Sequence, residues 1–307
     1  MKDNYKIRVP PKGAFTIQTE DDFIQMHSVI LAVAKRGVGK STMFGNLLRL
    51  MKDNKALDRL ILVSAGTYHN NKHNFENLPL DEENDIIEPE KDTPELLMEI
   101  LAEEGREYDS YHERIKMWNL LQKLMKSKID IEDIDPFLLM EFGYDFEKPT
   151  HKYGGKKPCI TVFFDDCQGS SLFSPSSKLS KLVISHRHQG ALKDGALGCT
   201  LLFATQSYAS NSFGLPKTVR TNLTQMMVFK NKSINELKLI AEECAGEVNE
   251  DEFFKLYDRA ILEPHDFLMI DFAKKKSHPS MFRRNFNQWL IVDCAYDKEN
   301  NTGKDLP

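Results

Sequence analysis

Cysteine is scarce in this chain and shows none of the spacings that build metal or redox sites. The five cysteines, Cys159, Cys167, Cys199, Cys244 and Cys294, are widely scattered, and no C-x-x-C pair occurs. Because paired cysteines are typical of zinc sites and redox motifs, we predict reduced, mostly buried thiols instead.

Long apolar runs are also missing. No stretch approaches the roughly 18 consecutive apolar residues of a membrane span. The segment Met1 to Lys12 has charges but lacks the apolar centre of a secretory signal. We therefore expect a soluble protein that has no membrane span and is not exported.

The chain has no surplus of positive charge, because 41 lysines and arginines face 46 aspartates and glutamates, a net charge of -5. This balance excludes a protein that coats nucleic acid with an all-over basic surface, although a local basic patch or a basic pore is still allowed. With 307 residues, 41% of them hydrophobic, the chain is long enough to bury a large core.

Short apolar runs alternate with amphipathic stretches along the chain. Such alternation predicts an α/β fold with a mainly parallel central sheet and helices on both faces. The predicted strands are His27 to Val33, Arg59 to Ser64, Cys159 to Asp165, Thr200 to Ala204, Gln225 to Lys230 and Phe267 to Phe272. The predicted helices are Lys40 to Met51, Pro94 to Glu104, Tyr111 to Lys126, Lys178 to His186, Ser233 to Ala245 and Glu250 to Ala260.

One long segment interrupts this alternation. Leu80 to Lys157 begins with an acidic stretch and continues into a more basic helix, so we predict a helical insertion on a single domain. The core of that domain runs from about Gln25 to Ala295, and Asp297 to Pro307 forms a polar tail.

The stretch "LAVAKRGVGKST" places a glycine-rich turn between an apolar strand and a helix. It matches G-x-x-x-x-G-K-[ST] except at the first position, where Ala34 replaces glycine. In that pattern the backbone N–H groups hold phosphates, the lysine reaches the β- and γ-phosphates and the hydroxyl binds Mg²⁺. The residues expected to contact the nucleotide are Ala34, Lys35, Arg36, Gly37, Val38, Gly39, Lys40, Ser41 and Thr42.

Two adjacent acids, Asp165 and Asp166, lie at the end of the predicted strand in "CITVFFDDCQG". Ligands of open α/β sheets bind at the carboxyl ends of the strands. We expect Asp165 to hold through water the Mg²⁺ that Ser41 binds, and Asp166 to polarise the attacking water.

A third strand, "TLLFATQ", ends in Gln206, whose amide would sense the γ-phosphate or orient water. Phosphoryl transfer also needs a cation at the charge that develops on the γ-phosphate. The candidates are Arg187 in "SHRHQG" and Arg220 in "VRTN"; ring ATPases commonly supply such an arginine from the neighbouring subunit.

With these residues assembled, the chain resembles the genome-packaging ATPases of large double-stranded DNA viruses and virophages, the poxvirus-type branch of the FtsK–HerA superfamily. The similarity spans about Ser28 to Leu290. The motifs that carry it are, in order, "AKRGVGKST", "VFFDDCQ", "SHRHQG", "LLFATQSY", "LPKTVRTNLTQMMVFK", "NELKLIAEE", "PHDFLMIDF" and "FRRNF". The chain departs from the family in having Ala34, and in having Asp166 where many relatives carry glutamate.

The resemblance implies a RecA-like P-loop NTPase that binds ATP and Mg²⁺ and pumps double-stranded DNA into a preformed capsid. It also implies a homo-oligomeric ring, a pentamer or hexamer, with active sites at subunit interfaces. Capsid or portal proteins are further expected partners, and the expected location is the host cytoplasm, the viral factory or the virion.

Two segments are basic candidates for DNA contact, His151 to Pro158 and Ala273 to Pro279. Phosphate loops also occur in proteins that bind nucleotide without useful turnover, so an ATP-binding assembly or scaffold protein is the alternative to a motor. A small-molecule kinase is less favoured, since the usual lid arginines are not evident.

Overall fold

The computed structural model describes residues 5–8, 25–66, 68–127, 134–142, 147–209, 215–243 and 248–292. Its strands are β1 Tyr5–Arg8, β2 Val29–Val33, β3 Arg59–Ser64, β4 Ile86–Ile87, β5 Ile160–Asp165, β6 Ala191–Leu192, β7 Gly195–Ala196, β8 Thr200–Thr205, β9 Gln225–Phe229, β10 Phe267–Asp271, β11 Phe282–Arg284 and β12 Gln288–Val292. Its α-helices are α1 Lys40–Asp53, α2 Tyr68–Asn71, α3 Thr93–Lys126, α4 Pro136–Phe142, α5 Leu179–Ser185, α6 Lys217–Thr221, α7 Ile234–Glu243 and α8 Glu250–Ala260.

Ten strands form one sheet in the order β1-β12-β11-β10-β9-β2-β8-β5-β3-β4. The strands from β9 to β4 in this order pair in parallel. The remaining strands, β10, β11, β12 and β1, pair antiparallel and extend the sheet on one side. The prediction of a mainly parallel sheet is confirmed for the part that carries the phosphate turn, the acidic pair and Gln206.

Both faces of the sheet are covered, which explains why the central strands read as continuous apolar runs. Residues of opposite pleat, such as Leu31 and Ile30 in β2, belong to two different apolar clusters. One cluster packs against α3, α5, α7 and α8, and the other packs against α1 and the segment that follows β3. The prediction of helices on both faces is therefore also confirmed.

Helix α3 corrects one prediction, because it runs unbroken over 34 residues where two helices were expected. The predicted gap included Gly105, which is buried inside the helix. A Cβ atom at Gly105 would lie 2.9 Å from the Ala191 carbonyl oxygen. This glycine therefore lets α3 approach the β6 strand closely rather than ending the helix.

The first half of α3 packs on the sheet through Leu97 and Leu101. Its second half forms a separate small cluster, in which Leu121 packs with Ile134 and Phe142 of the α4 region. The segment predicted as an insertion thus contributes to the main core at one end and builds its own apolar contacts at the other.

Within the described part of the chain, no helix has the length and apolar character needed to cross a bilayer. The cysteines Cys159, Cys167 and Cys199 are free, as predicted. Cys244, Cys294 and the predicted tail lie outside the described residues.

Candidate nucleotide-binding site

The turn between β2 and α1 has the backbone that its glycines predict. Gly37 and Gly39 adopt positive φ angles of 78° and 102°, which strain other residues. Ala34 is buried and is not among the residues with positive φ, so alanine is tolerated at the first position of the motif. Its N–H donates to the Thr205 carbonyl oxygen at 3.1 Å, which ties the turn to the end of β8.

Helix α1 begins with amide groups that have no partner inside the helix. The Met43 N–H donates to the Gly39 carbonyl oxygen at 2.8 Å, so the N–H groups of Lys40, Ser41 and Thr42 precede the first intrahelical bond. Free amides at the positive end of a helix dipole bind anions. The turn is therefore suited to hold phosphate.

Lys40 is buried, and its ammonium group lies inside the turn. Its Nζ atom donates to the Ala34 carbonyl oxygen at 2.5 Å and to that of Lys35 at 3.4 Å. Burial lowers the pKa of Lys40, while the charges of Asp166 and Asp165 act in the opposite direction. The lysine thus stands between the turn and the acidic pair.

Ser41 and Asp165 meet although 124 positions separate them. The Ser41 hydroxyl donates to Asp165 Oδ1 at 3.0 Å. Burial raises the pKa of Asp165 and the Asp166 charge raises it further, whereas the Ser41 hydrogen bond and the Lys40 charge lower it. A hydroxyl and a carboxylate at this separation are oxygen ligands of the kind that Mg²⁺ prefers, so the pair fits the predicted ion.

Asp166 and Gln206 also meet at this sheet edge. Asp166 follows β5 in the left-handed region, at φ 52°, and its Oδ1 accepts a hydrogen bond from Gln206 Nε2 at 2.6 Å. The predicted water-activating acid and the predicted sensor amide are therefore in direct contact. A water bound beside this pair would be within reach of both groups.

These residues surround a cavity of about 390 Å³. Its lining also includes Asn71, His73, Asn74 and His265, which were not predicted from the sequence. The first three follow β3 and His265 precedes β10, so all four lie at the edge that holds the phosphate turn. The signal that could have found them is position next to strand ends, since their residue types alone are not specific.

His265 contacts the phosphate turn directly. Its ring nitrogen Nδ1 donates to the Val38 carbonyl oxygen at 2.9 Å, and its backbone has a positive φ of 72°. The ring would lie 3.1 Å from a Cβ atom at Gly39. A glycine is therefore needed at position 39 for its φ angle and for this close approach.

Neither candidate arginine lines the cavity. Arg220 donates to Glu243 at 2.8 Å, and its guanidinium lies 5.0 Å from the centre of the Tyr208 ring. Arg187 is exposed beside His186, whose carbonyl oxygen pairs with Cys199 just before β8. Arg187 is thus at the opposite edge of the sheet, and a role for either arginine in a neighbouring subunit stays a prediction.

The basic segment at 151–158 is held by ion pairs. Lys156 pairs with Asp58 at 2.6 Å and Lys157 with Asp194 at 3.7 Å. His112 Nε2 lies 3.0 Å from the Gly155 carbonyl oxygen, which joins the segment to α3. Its contact with DNA stays a prediction.

A larger cavity, of about 730 Å³, lies where β3 begins. Its lining contains six carboxylates and two cations, Arg59 and Lys152. Because an excess of carboxylates repels phosphate, this cavity is not suited to a nucleotide.

The order of the strands completes the assignment of the fold. Strand β8 lies between β2, which delivers the phosphate turn, and β5, which delivers the acids. The fold is that of a P-loop NTPase. The chain is similar to the genome-packaging NTPase B204 of Sulfolobus turreted icosahedral virus 2 in complex with ATP-gammaS, with 13% identity and a TM-score of 0.46, covering 85% of this chain and 98% of B204.

Two further solved structures are similar to this chain. The conjugation coupling protein TcpA of pCW3 has 15% identity and a TM-score of 0.44, covering 95% of this chain and 66% of TcpA. The cytoplasmic domain of the type VII secretion ATPase EccC from Thermomonospora curvata has 16% identity and a TM-score of 0.41, covering 90% and 26%. No family model and no curated protein sequence matches the chain.

Proposed function

We propose that this P-loop NTPase hydrolyses ATP and uses the energy to translocate double-stranded DNA, in the packaging of a viral genome into its capsid. The observation that carries the hydrolysis is the 3.0 Å contact between Ser41 of the phosphate turn and Asp165 at the end of β5. The contact brings a phosphate site and an acidic site into one cavity. The DNA part rests on the order of the motifs quoted above.

In this proposal each group at the cavity has one task. The amides of the turn and Lys40 bind the triphosphate, while Ser41 and Asp165 hold Mg²⁺, which would neutralise charge on the β- and γ-phosphates. Asp166 accepts a proton from the attacking water, and Gln206 orients that water through its amide. Because Asp166 is already paired with Gln206, the two act as one unit.

DNA would be held by a few basic residues rather than by a wide basic surface. A motor must release its track in every cycle, and each phosphate contact adds affinity that depends on salt. A ring of identical subunits would place such residues around a pore, so a ring is part of the proposal. The single-domain boundaries, capsid or portal partners and location in the host cytoplasm, viral factory or virion belong to it as well.

The test measures phosphate release by the purified protein with Mg²⁺ and ATP, with and without duplex DNA. If the protein is a motor, duplex DNA should stimulate its ATP hydrolysis. Translocation is shown when the moving protein displaces a probe that is bound to the duplex. ATP binding without turnover in either condition would instead support the assembly or scaffold protein. Images of the protein with an ATP analogue and duplex DNA then show whether a ring surrounds the duplex.

A further inference from the structure

The segment that carries Gln206 leaves the sheet one residue before it. The pairing of β8 with β2 ends at Thr205 and Val33, so the next backbone N–H groups have no strand partner. The side chain of Gln168 supplies the acceptor. Its Oε1 atom accepts from the Gln206 N–H at 2.9 Å and from the Ser207 N–H at 3.1 Å.

A fixed turn after β5 holds Gln168 in place. Asp166 and Gly169 both adopt positive φ angles, 52° and 89°, and the Ser170 N–H closes the turn on the Cys167 carbonyl oxygen at 3.2 Å. The buried Cys167 thiol donates to the Val63 carbonyl oxygen in β3, at 3.2 Å. The turn is therefore anchored to the sheet on the side away from Gln206.

Glu236 holds the same segment from the other side. Its Oε1 atom accepts from the Ser207 hydroxyl and, at 3.1 Å, from the Tyr208 N–H. Its Oε2 atom accepts from Asn231 Nδ2 at 2.7 Å. Glu236 is the first of the three glutamates in the "NELKLIAEE" motif and lies at the start of α7, and the proposed mechanism assigns it no task.

Neither Gln168 nor Glu236 lines the 390 Å³ cavity. They contact Gln206, Ser207 and Tyr208, and of these residues only Gln206 reaches the cavity. An effect of Gln168 or Glu236 on turnover would therefore be indirect, and Gln206 is the cavity residue next to the backbone that both of them hold. Its amide has to stay 2.6 Å from Asp166 for the pair to act together.

We propose that Gln168 and Glu236 are positioning residues, which clamp the backbone at 206–208 from two sides so that the Gln206 amide is held against Asp166. The inference rests on the proposed ATP hydrolysis for its kinetic consequence. The clamp itself is a structural arrangement that can be measured without turnover.

The kinetic test replaces the acceptor. Gln168→Met keeps the length of the side chain and removes the acceptor oxygen, so kcat for ATP hydrolysis should fall about 10- to 100-fold, as for a catalytic group displaced by about 1 Å. The KM for ATP should not change, because Gln168 does not line the cavity. Gln168→Glu retains an acceptor oxygen and should retain most of the rate.

Gln189→Met is the matched control. Gln189 is also a half-buried glutamine with a side-chain hydrogen bond, to Ser185 at 2.6 Å, and it lies near the opposite edge of the sheet. Its variant should have the wild-type kcat. A fall in kcat as large as that of Gln168→Met would mean that loss of any such bond slows the enzyme, and would overturn the positioning role.

A double-mutant cycle tests whether Gln168 acts through Gln206. If it does, Gln168→Met combined with Gln206→Ala should be no slower than Gln206→Ala alone, because the positioned amide is already gone. Glu236→Met combined with Gln206→Ala should likewise be no slower than Gln206→Ala alone. This second cycle tests the proposal if Gln168→Met folds poorly. Losses that multiply in both cycles would overturn the proposal.

Hydrogen exchange separates this proposal from the proposed function. Amide exchange at Gln206 and Ser207 should be faster in Gln168→Met than in Gln189→Met, in the presence of Mg²⁺ and a non-hydrolysable ATP analogue. If the wild-type protein does not hydrolyse ATP, the function fails while faster exchange still supports the clamp. Unchanged exchange at both amides would overturn the clamp whatever the rate of hydrolysis.

Discussion

Lys40 illustrates how a single side chain is prepared for an anion. Its ammonium group is buried and bonded to two carbonyl oxygens of its own turn, and burial lowers its pKa. Phosphate oxygens are stronger partners for an ammonium group than neutral carbonyl oxygens are, because the hydrogen bond then joins opposite charges. A triphosphate in the turn would therefore draw Lys40 toward the cavity.

We expect Lys40 to contribute directly to ATP affinity. Lys40→Ala should weaken ATP binding about 10- to 100-fold, since hydrogen bonds to charged groups contribute roughly 1.5–3 kcal/mol. Titration with a fluorescent ATP analogue and Mg²⁺ measures the Kd. Lys52→Ala, on the same helix but at its far end, is the control and should bind as the wild type does. Equal affinity of the two variants would remove Lys40 from the site.

We expect Asp166, the acid next to Gln206, to be needed for hydrolysis but not for ATP binding. Asp166→Asn keeps the size of the side chain but cannot accept a proton from water, so ATP should still bind while hydrolysis falls about 10²- to 10⁴-fold. Binding and phosphate release are measured on the same preparation. Asp194→Asn, an exposed acid far from the turn, should leave both unchanged. Turnover by Asp166→Asn at the wild-type rate would show that the base lies elsewhere.

At the scale of secondary-structure elements, Gly105 in α3 shows that a glycine can either end a helix or allow a continuous helix to pack closely. The sequence pattern around Gly105 predicts a break between helices, because glycine disfavours helix interiors. The structure instead places this glycine against the backbone of Gly190 and Ala191. The choice between the two readings depends on a neighbour that is about 85 positions away, which local patterns do not contain.

Gly105→Ala tests this packing, and we expect it to destabilise the protein. The added methyl would meet the Ala191 carbonyl oxygen at 2.9 Å, and overpacking of this kind costs about 1–3 kcal/mol. Urea denaturation measures the free energy of unfolding, with Ser110→Ala, an exposed position of the same helix, as control. An increase in stability from the better helix former would show that α3 is free to shift.

We expect the basic loop at 151–158 to contact duplex DNA. Lys157→Glu should reduce the stimulation of ATP hydrolysis by duplex DNA and leave the basal rate unchanged, because the loop is remote from the nucleotide cavity. Lys157 is a better choice than Lys156, because its partner Asp194 is exposed and 3.7 Å away, whereas Lys156 is paired at 2.6 Å with the mostly buried Asp58, so that reversing Lys156 would disturb the fold more. Lys238→Glu, which also alters an exposed lysine with one ion pair, is the control. Undiminished stimulation in Lys157→Glu removes this lysine from the DNA contact.

At the scale of the whole molecule, the proposed ring determines where an arginine can act. Neither Arg187 nor Arg220 lines the cavity of its own chain, so a contribution to hydrolysis has to come from a neighbouring copy. Head-to-tail contacts of one surface with another generate a ring when the rotation between subunits closes. In such a ring each site would combine the phosphate turn of one subunit with an arginine of the next.

Mixing two inactive variants tests this arrangement. Lys40→Ala and Arg220→Ala should each lose activity alone, and a mixture should regain part of it, because some interfaces join an intact Lys40 to an intact Arg220. A mixture of Lys40→Ala with Asp166→Asn should stay inactive, since both residues belong to one subunit's cavity. No recovery with Arg220→Ala would exclude this arginine, and the same experiment with Arg187→Ala would follow.

Much of the site could be predicted because its residues stand next to strong local signals. Buried parallel strands are continuous apolar runs, and polar residues that end them must lie at one sheet edge. The predicted strand Arg59 to Ser64 and helix Glu250 to Ala260 agree with the structure to the residue. The meeting of Ser41 with Asp165 follows from the same rule.

The short antiparallel strands β11 and β12, and β1 at the edge, were not predicted. They are brief and partly polar, and they are stabilised by pairing with a neighbouring strand rather than by a pattern of their own. His265, Asn71, His73 and Asn74 were missed for a related reason. Each is placed at the cavity by the end of an element, and the residue type carries no signal for that placement.

By itself, then, the sequence determined the parallel core, the phosphate turn and the acids and amide that face it, since local periodicity and turn chemistry decide where each strand ends. Only the tertiary structure decided that α3 is continuous, that His265 lies on the turn, and that Gln168 and Glu236 hold the Gln206 segment. Those outcomes depend on contacts between residues far apart in the chain, and such contacts form only when the strands are packed side by side.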